Sequence, residues 1–188
     1  MMRQIEKYAA KLVIDGCGAE EKIALLAKDD CLLCWGADDL LPLGQAVIDG
    51  LNVISLVVAM PPLPLVDLLL ARTPENVAQV VPQDTETRTF LHDIPIVRRH
   101  EFSVEKPQRL IELLGQRKGV LVEGVGIMAT GSVTVEQAYI NYSSVYHALF
   151  VKLLLMLLTD EPIPSEEEIA ALAPLWLQLE NDIPQACD

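Results

Sequence analysis

The sequence predicts an α/β protein: a mixed central β-sheet covered by helices, with one long helix towards the C-terminus. Three observations carry this. Of the 188 residues 51% are hydrophobic but only 5% are aromatic, so the core has to be built from Leu, Val, Ile and Ala, as in sheets buried on both faces. Helical and strand-like periods alternate along the chain after an opening helix. Residues 119–131, GVLVEGVGIMATG, are apolar and turn on Gly124 and Gly126, which predicts an antiparallel pair within the alternating order. A chain of this length needs only one core. It is read as one domain over 1–188, with the core in 1–160 and a helical tail in 161–188.

The elements follow in order. Residues 3–15 place Ile5, Tyr8, Ala9, Leu12 and Val13 on one stripe, with Gly16 and Gly18 beyond it, so a helix opens the chain and stops there. A short second helix is expected over 20–27. CLLCWG reads as a strand, and ADDLLPLGQAVIDG as a turn in which Asp38 and Asp39 cap a helix ending at Gly50. NVISLVVAM has no polar face and reads as a central strand ended by Pro61 and Pro62. PLVDLLLAR is a helix and NVAQVV a short strand. TRTFLHDIPIVRRHEF is an extended segment whose Pro95 suits an edge or a bend. KPQRLIELLGQR is a helix closed by Gly115, and GVLVE and IMAT are strands. Ser132 and Glu136 resemble a loosened capping box opening a helix of about seven turns. The tail restarts at Ser165, with Glu166, Glu167 and Glu168 placed to complement the helix dipole.

Charge excludes some functions. The net charge of -13 repels phosphate backbones and anionic lipid, and the only basic group of note is Arg98 and Arg99 beside His100; neither nucleic acid nor a membrane is expected as a partner. The N-terminal residues carry charges and lack a signal-peptide core, which predicts a cytoplasmic protein. The apolar run 145–158 is shorter than a membrane span and contains His147 and Lys152, so it reads as a buried or interface helix. Cys31 and Cys34 form a C-x2-C, but on a strand they point to opposite faces, and no second pair completes a tetrahedral set. With Cys17 and Cys187 they read as ordinary small buried residues.

Motifs for nucleophilic or nucleotide chemistry are absent. There is no G-x-S-x-G, and the GCG at 16–18 follows a helix rather than a strand. His92 and His100 lie in the charged segment 88–101, where histidines are usually solvated. His147, among Tyr142, Tyr146 and Phe150, reads as a packing residue. Glu123 differs from these, because it ends a buried strand beside two glycines with no capping role to explain it.

Three segments, in this order, resemble the class II aldolase/adducin family. LNVISLVVAMPPLP is similar to the family strand that ends in His-x-His-Pro. RTFLHDIPIVRRHEF resembles its DIPVVPY-like segment. GVLVEGVGIMATGSVTVEQAYINYSSV resembles the strand, Asn-His-Gly turn and following helix. The resemblance spans about residues 40–160. It implies a divalent metal, usually zinc, bound by the three histidines and polarising an enediolate. The matching positions here are Val58, Met60 and Val125, none of them a zinc ligand, and Gly124 stands where the asparagine would be. The family's acid/base glutamate falls near Asp39. Its phosphate loop has no counterpart in GCGAEEKIALLAKDD.

The resemblance therefore predicts a metal-site scaffold without its metal ligands, and no cofactor. It implies a non-catalytic or repurposed module that binds a small molecule or a protein. Asp39 and Glu123 are its candidate carboxylates, and Met60, Gly124, Gly126 and His92 line its candidate cleft. The alternative is an active lyase or isomerase on a small sugar-like carbonyl or sugar phosphate. Family members are commonly cyclic tetramers, so a homo-oligomer is expected, a tetramer favoured. The long helix agrees, since Ile140, Val151 and Leu155 widen its apolar belt beyond Tyr142, Tyr146, Phe150, Leu154 and Leu157.

Overall fold

The computed structural model describes residues 1–61 and 64–159. In chain order the elements are α1 (Met2–Ile14), β1 (Ile23–Lys28), β2 (Leu32–Gly36), α2 (Leu41–Asp49), β3 (Ser55–Ala59), α3 (Leu65–Arg72), β4 (Gln79–Val80), α4 (Thr85–Leu91), β5 (Ile94–Val97), α5 (Gln108–Leu114), β6 (Gly119–Val122), β7 (Gly126–Gly131) and α6 (Val135–Thr159). The strands form one sheet in the order β2-β1-β3-β7-β6-β5-β4. Every pairing is antiparallel except β5 with β6. That parallel pair is joined through α5, the crossover such a pair requires, while β6 and β7 are joined by the tight turn seen in the sequence.

Strand side chains alternate between two apolar layers. Leu25, Ala27, Val57, Ala59, Leu121, Ile127 and Ala129 face α1, α3 and α6. Their neighbours Ala24, Leu26, Leu56, Val58, Val120, Val122 and Met128 face α2 and α5. Both sheet faces are thus covered, which is why β3 is buried at every position and carries no polar alternation. Each buried Leu, Val or Ile stabilises the fold by roughly 1.5–3 kcal/mol relative to exposure.

α6 lies along β7 with eleven buried residues, and the hydroxyl of its fully buried Tyr142 donates to the Cys17 carbonyl at 2.7 Å. By length and composition α6 could cross a membrane, yet here it is the core helix that closes one face of the sheet. Its start is capped at Thr134, with Gln137 reaching back one residue further, rather than at Ser132 and Glu136. Gln137 N–H donates to Thr134 Oγ1 (3.1 Å), and Val133 N–H donates to Gln137 Oε1 (3.0 Å).

Several elements depart from the sequence reading. The segment 20–27 is a 3-10 turn (Glu20–Lys22) followed by β1, not a helix. IALLAK is a continuous apolar run paired on both edges and buried on both faces, a pattern that helix and strand share. Residues 85–91 are helical rather than extended, because Asp84 accepts from Thr87 N–H at 2.7 Å as an N-cap and His92 reverses the chain at φ 66°. Pro95 lies in β5, opposite Gln79 of the two-residue edge strand β4, and the parallel pairing to β6 begins only at Ile96. Neither Asp38 nor Asp39 is the N-cap of α2: Leu40 occupies that position, without a side-chain bond. Cys31 is exposed and precedes β2, and Cys34 is half-buried, whereas Cys17 is buried. Pro62, Cys187 and the tail expected to restart at Ser165 lie outside the described residues.

Candidate functional site

One end of the sheet collects most of the residues the sequence singles out. β3 ends at Ala59, and Met60 is held by backbone bonds from its N–H to the Lys22 carbonyl (3.0 Å) and from Ala19 N–H to its own carbonyl (2.9 Å). β6 ends beside it. The turn Glu123, Gly124, Val125 is closed by Val125 N–H donating to the Val122 carbonyl at 3.1 Å. β5 also ends here, and Glu123 N–H donates to the Val97 carbonyl at 3.0 Å, so Arg98 and Arg99 emerge next to the turn.

The glycines have separate physical reasons. Gly124 adopts φ 73° with open space around it, the nearest atom to an added Cβ being Arg99 Cδ at 3.9 Å. Gly126 adopts φ 113°, and a Cβ there would lie 2.4 Å from the Ala59 carbonyl oxygen and 2.7 Å from Met60 Cα. Glycine at 126 is what lets the turn press its backbone onto the end of β3.

The turn stands at the end of the sheet and divides the site into two clefts. On the α3 side, a cleft of about 600 Å³ is lined by Glu123, Arg98, Asp67 and the loop after α3. On the α2 side, a cleft of about 510 Å³ is lined by Asp39, Leu43, Arg99, Phe102, Gly124 and Val125. Glu123 is half-buried and its Oε2 accepts from the Arg99 backbone N–H at 2.9 Å. Asp39 is exposed and ion-paired with Lys22, whose hydrogen bond holds the Asp39 carboxyl below the usual carboxylate range. The Arg99 guanidinium lies over the Phe102 ring, 5.3 Å from its centroid.

The three positions that match metal ligands do not converge as a donor set. Val58 is fully buried and Val125 is 5% exposed, both in the layer under α2 and α5, whereas half-buried Met60 packs against the opposite layer. None offers a nitrogen or oxygen side-chain donor, and among the described residues no group of three or more His, Cys, Asp or Glu gathers where an ion could sit. These residues do not fit a divalent cation. His92 stands before β5, at the end of that strand opposite Arg98, and so away from both clefts. His100 is exposed on the 3-10 turn Arg99–Glu101, and His147 is exposed on α6.

Sequence reasoning passed over Lys22, Arg98 and Arg99 as site residues. The Arg98-Arg99 pair was visible as the chain's basic group, but only the sheet brings it beside the 124–126 turn. Arg98 Nη2 donates to the carbonyls of Thr73 (3.2 Å) and Pro74 (3.3 Å), while its Nε is buried without a hydrogen-bond partner among the described residues.

The sheet order, the tight turn at its end and the long helix packed along β7 define a class II aldolase-like fold. L-fuculose-1-phosphate aldolase from Thermus thermophilus matches this chain with a TM-score of 0.67 at 16% identity, over 86% of this chain and 97% of its own. A sugar-phosphate aldolase from Thermotoga maritima matches with a TM-score of 0.62 at 18% identity, over 85% and 96%. An aldolase II superfamily protein from Pseudomonas syringae matches with a TM-score of 0.59 at 11% identity, over 95% and 90%. No protein-family model and no curated protein sequence matches the chain. At these identities the likeness concerns the fold and leaves the chemistry of the site to this chain's own residues.

Proposed function

We propose that this chain is a non-catalytic or repurposed member of the class II aldolase-like fold, which binds a small molecule at the sheet end. The observation that carries the reading is the apolar character of Val58, Met60 and Val125 and their division between two core layers. A lyase of this fold would draw its electrophilic stabilisation, worth several kcal/mol of the barrier, from a metal at those positions. What the chain offers instead on the α2 side is a cleft with Arg99 and the Lys22–Asp39 pair near a glycine turn, suited to holding a polar ligand against backbone.

The second reading, a lyase or isomerase acting on a small sugar-like carbonyl, has in its favour the aldolases among its structural neighbours and the Asp39 carboxylate at the cleft. Its weakness is that Asp39 is already engaged by Lys22. One experiment separates the two. Purified protein is assayed for cleavage of L-fuculose 1-phosphate and related sugar phosphates, with and without added zinc or manganese. Absence of turnover in every condition supports the binding module. Turnover that falls on Asp39→Asn substitution supports the lyase.

A further inference from the structure

The two edges of the sheet are built differently. β4, at one edge, has two residues and is followed closely by Pro82, so it offers little to an incoming strand. β2, at the other, runs over Leu32–Gly36 with no Pro, no Lys and an unbroken register against β1. Which of its backbone groups are spent follows from the alternation of an antiparallel pair. Ala37 N–H donates to the Ile23 carbonyl and Asp29 N–H to the Cys31 carbonyl, so Leu33 and Trp35 bond to β1, while Leu32 and Cys34 turn their N–H and C=O groups outward. Among the described residues no strand lies beyond them. Leu33 and Trp35 continue one apolar layer and Leu32 and Cys34 the other, and all four are half-buried.

The charge around this edge has one sign. Residues 29–51 contain Asp29, Asp30, Asp38, Asp39 and Asp49 and no Lys, Arg or His. Asp29 lies 4.0 Å from the N-terminal amine and Asp39 pairs with Lys22, whereas Asp30, Asp38 and Asp49 make no ion pair among the described residues. The nearby cations are otherwise occupied. Lys28 Nζ donates to the Leu51 carbonyl at 2.7 Å, and Lys7 and Lys11 of α1 lie over the rings of Tyr8 and Tyr139. Arg3 and Glu6 of α1 carry opposite charges, and the Asp15 carboxylate accepts from the Tyr139 hydroxyl. An antiparallel pairing of β2 with β2 of a second copy, centred on Cys34, would set Asp30 of each beside Asp38 of the other. Like charges held opposite one another oppose that pairing.

We propose that β2 is a docking edge for an extended segment of a partner protein, apolar along the length that matches Leu32–Trp35 and carrying Lys or Arg at both ends. Such a segment adds an eighth strand by bonding to the outward groups of Leu32 and Cys34. Its side chains extend both apolar layers, and its basic ends meet Asp30 at one end of β2 and Asp38 at the other. The same acids that keep two copies apart thus select the partner's charge. This edge is separate from the two clefts at the sheet end and does not depend on what they bind.

The test follows amide exchange by nuclear magnetic resonance in the full chain, with the peptide KKVTVIKK as probe and EEVTVIEE and KKVPVPKK as controls. In the free chain the Leu32 and Cys34 amides are expected to exchange fast and those of Leu33 and Trp35 slowly. KKVTVIKK is expected to slow Leu32 and Cys34 by about tenfold or more, an effect that weakens with salt, while both controls leave them fast. Cys34→Pro removes an outward N–H and no bond to β1, so it should fold and lose the peptide. If it does not fold, Asp30→Lys combined with Asp38→Lys serves instead and should exchange the preference, taking EEVTVIEE over KKVTVIKK. The proposal is overturned if Leu32 and Cys34 are already protected in the free chain, which would mean that this chain or a second copy covers the edge. It is also overturned if KKVTVIKK slows neither amide, if EEVTVIEE slows them equally, or if the folded variants bind as the unsubstituted chain does. The cleavage assay reads turnover and this one reads two amides of β2, so failure of either is visible without the other.

Discussion

Glu123 Oε2 accepts the backbone N–H of Arg99 at 2.9 Å, which ties the end of β6 to the first residue of the 3-10 turn that follows β5. Glu123 therefore acts as a cap across two strands, and its half-buried carboxylate makes no ion pair among the described residues. Removal of a capping acceptor costs about 1 kcal/mol, far less than the roughly 3–5 kcal/mol for breaking a buried salt bridge. Glu123→Ala is expected to lower unfolding stability by about 1 kcal/mol in urea titrations. A loss several times larger would show a buried charge partner instead.

The two turn glycines are expected to respond unequally to alanine. At Gly124 the only penalty is the left-handed conformation, so Gly124→Ala should cost about 1–2 kcal/mol. At Gly126 the positive φ adds to a collision with backbone that has nowhere to move, so Gly126→Ala should cost about 3 kcal/mol or more. Paired denaturation curves of the two variants check this, and equal losses would contradict the packing of the turn against β3.

Metal removal should leave stability unchanged. With Val58, Met60 and Val125 at the matching positions, metal-binding free energy is not expected to be coupled to folding. Elemental analysis is expected to find less than stoichiometric zinc, and a chelator to leave the melting temperature where it was. One equivalent of tightly held zinc would reverse the reading of this site.

Asp84 gives a pH dependence with a definite sign. Its carboxylate accepts from the Thr87 hydroxyl and from the Thr87 N–H, and these bonds hold its pKa below the ordinary value of about 3.9. A carboxyl whose folded pKa is depressed contributes stability above its unfolded pKa and loses it as pH falls through the folded one. Asp84→Asn should therefore flatten the decline in melting temperature below about pH 4. Asp84→Ala should in addition cost about 1 kcal/mol near neutrality through loss of the α4 cap. Thermal melts across the acid range measure both.

Assembly is predicted from α6 and α4. Ile140 is 46% exposed and Leu155 and Phe90 are each 37% exposed, and Ile140 and Phe90 border the same cleft between the two helices. A homo-oligomer that covers them is expected, with Ile140→Asp shifting it towards monomer in light scattering. A monomeric mass for the unsubstituted chain at micromolar concentration would refute this.

Local sequence determined the elements whose signals are local. β3 and the β6–β7 pair are apolar runs punctuated by Pro and Gly, and α6 is a long helical apolar pattern; in each case the period or the backbone demand of glycine is written within a few residues. β1 escaped because a run buried on both faces has no period to read, so its pairing with β2 and β3 had to choose strand over helix. The site was decided at longer range. Arg99 lies 24 residues before Glu123, and Lys22 lies 17 residues before Asp39, separations at which pattern carries no information about contact. Val58 of β3 and Val125 of the turn then fall in one layer, while Met60, just past the end of β3, packs on the other. Only the assembled sheet could set Glu123 with Arg98 on one side of the turn and Asp39 with Arg99 on the other, because it is the pairing of β3, β5, β6 and β7 that brings their ends together.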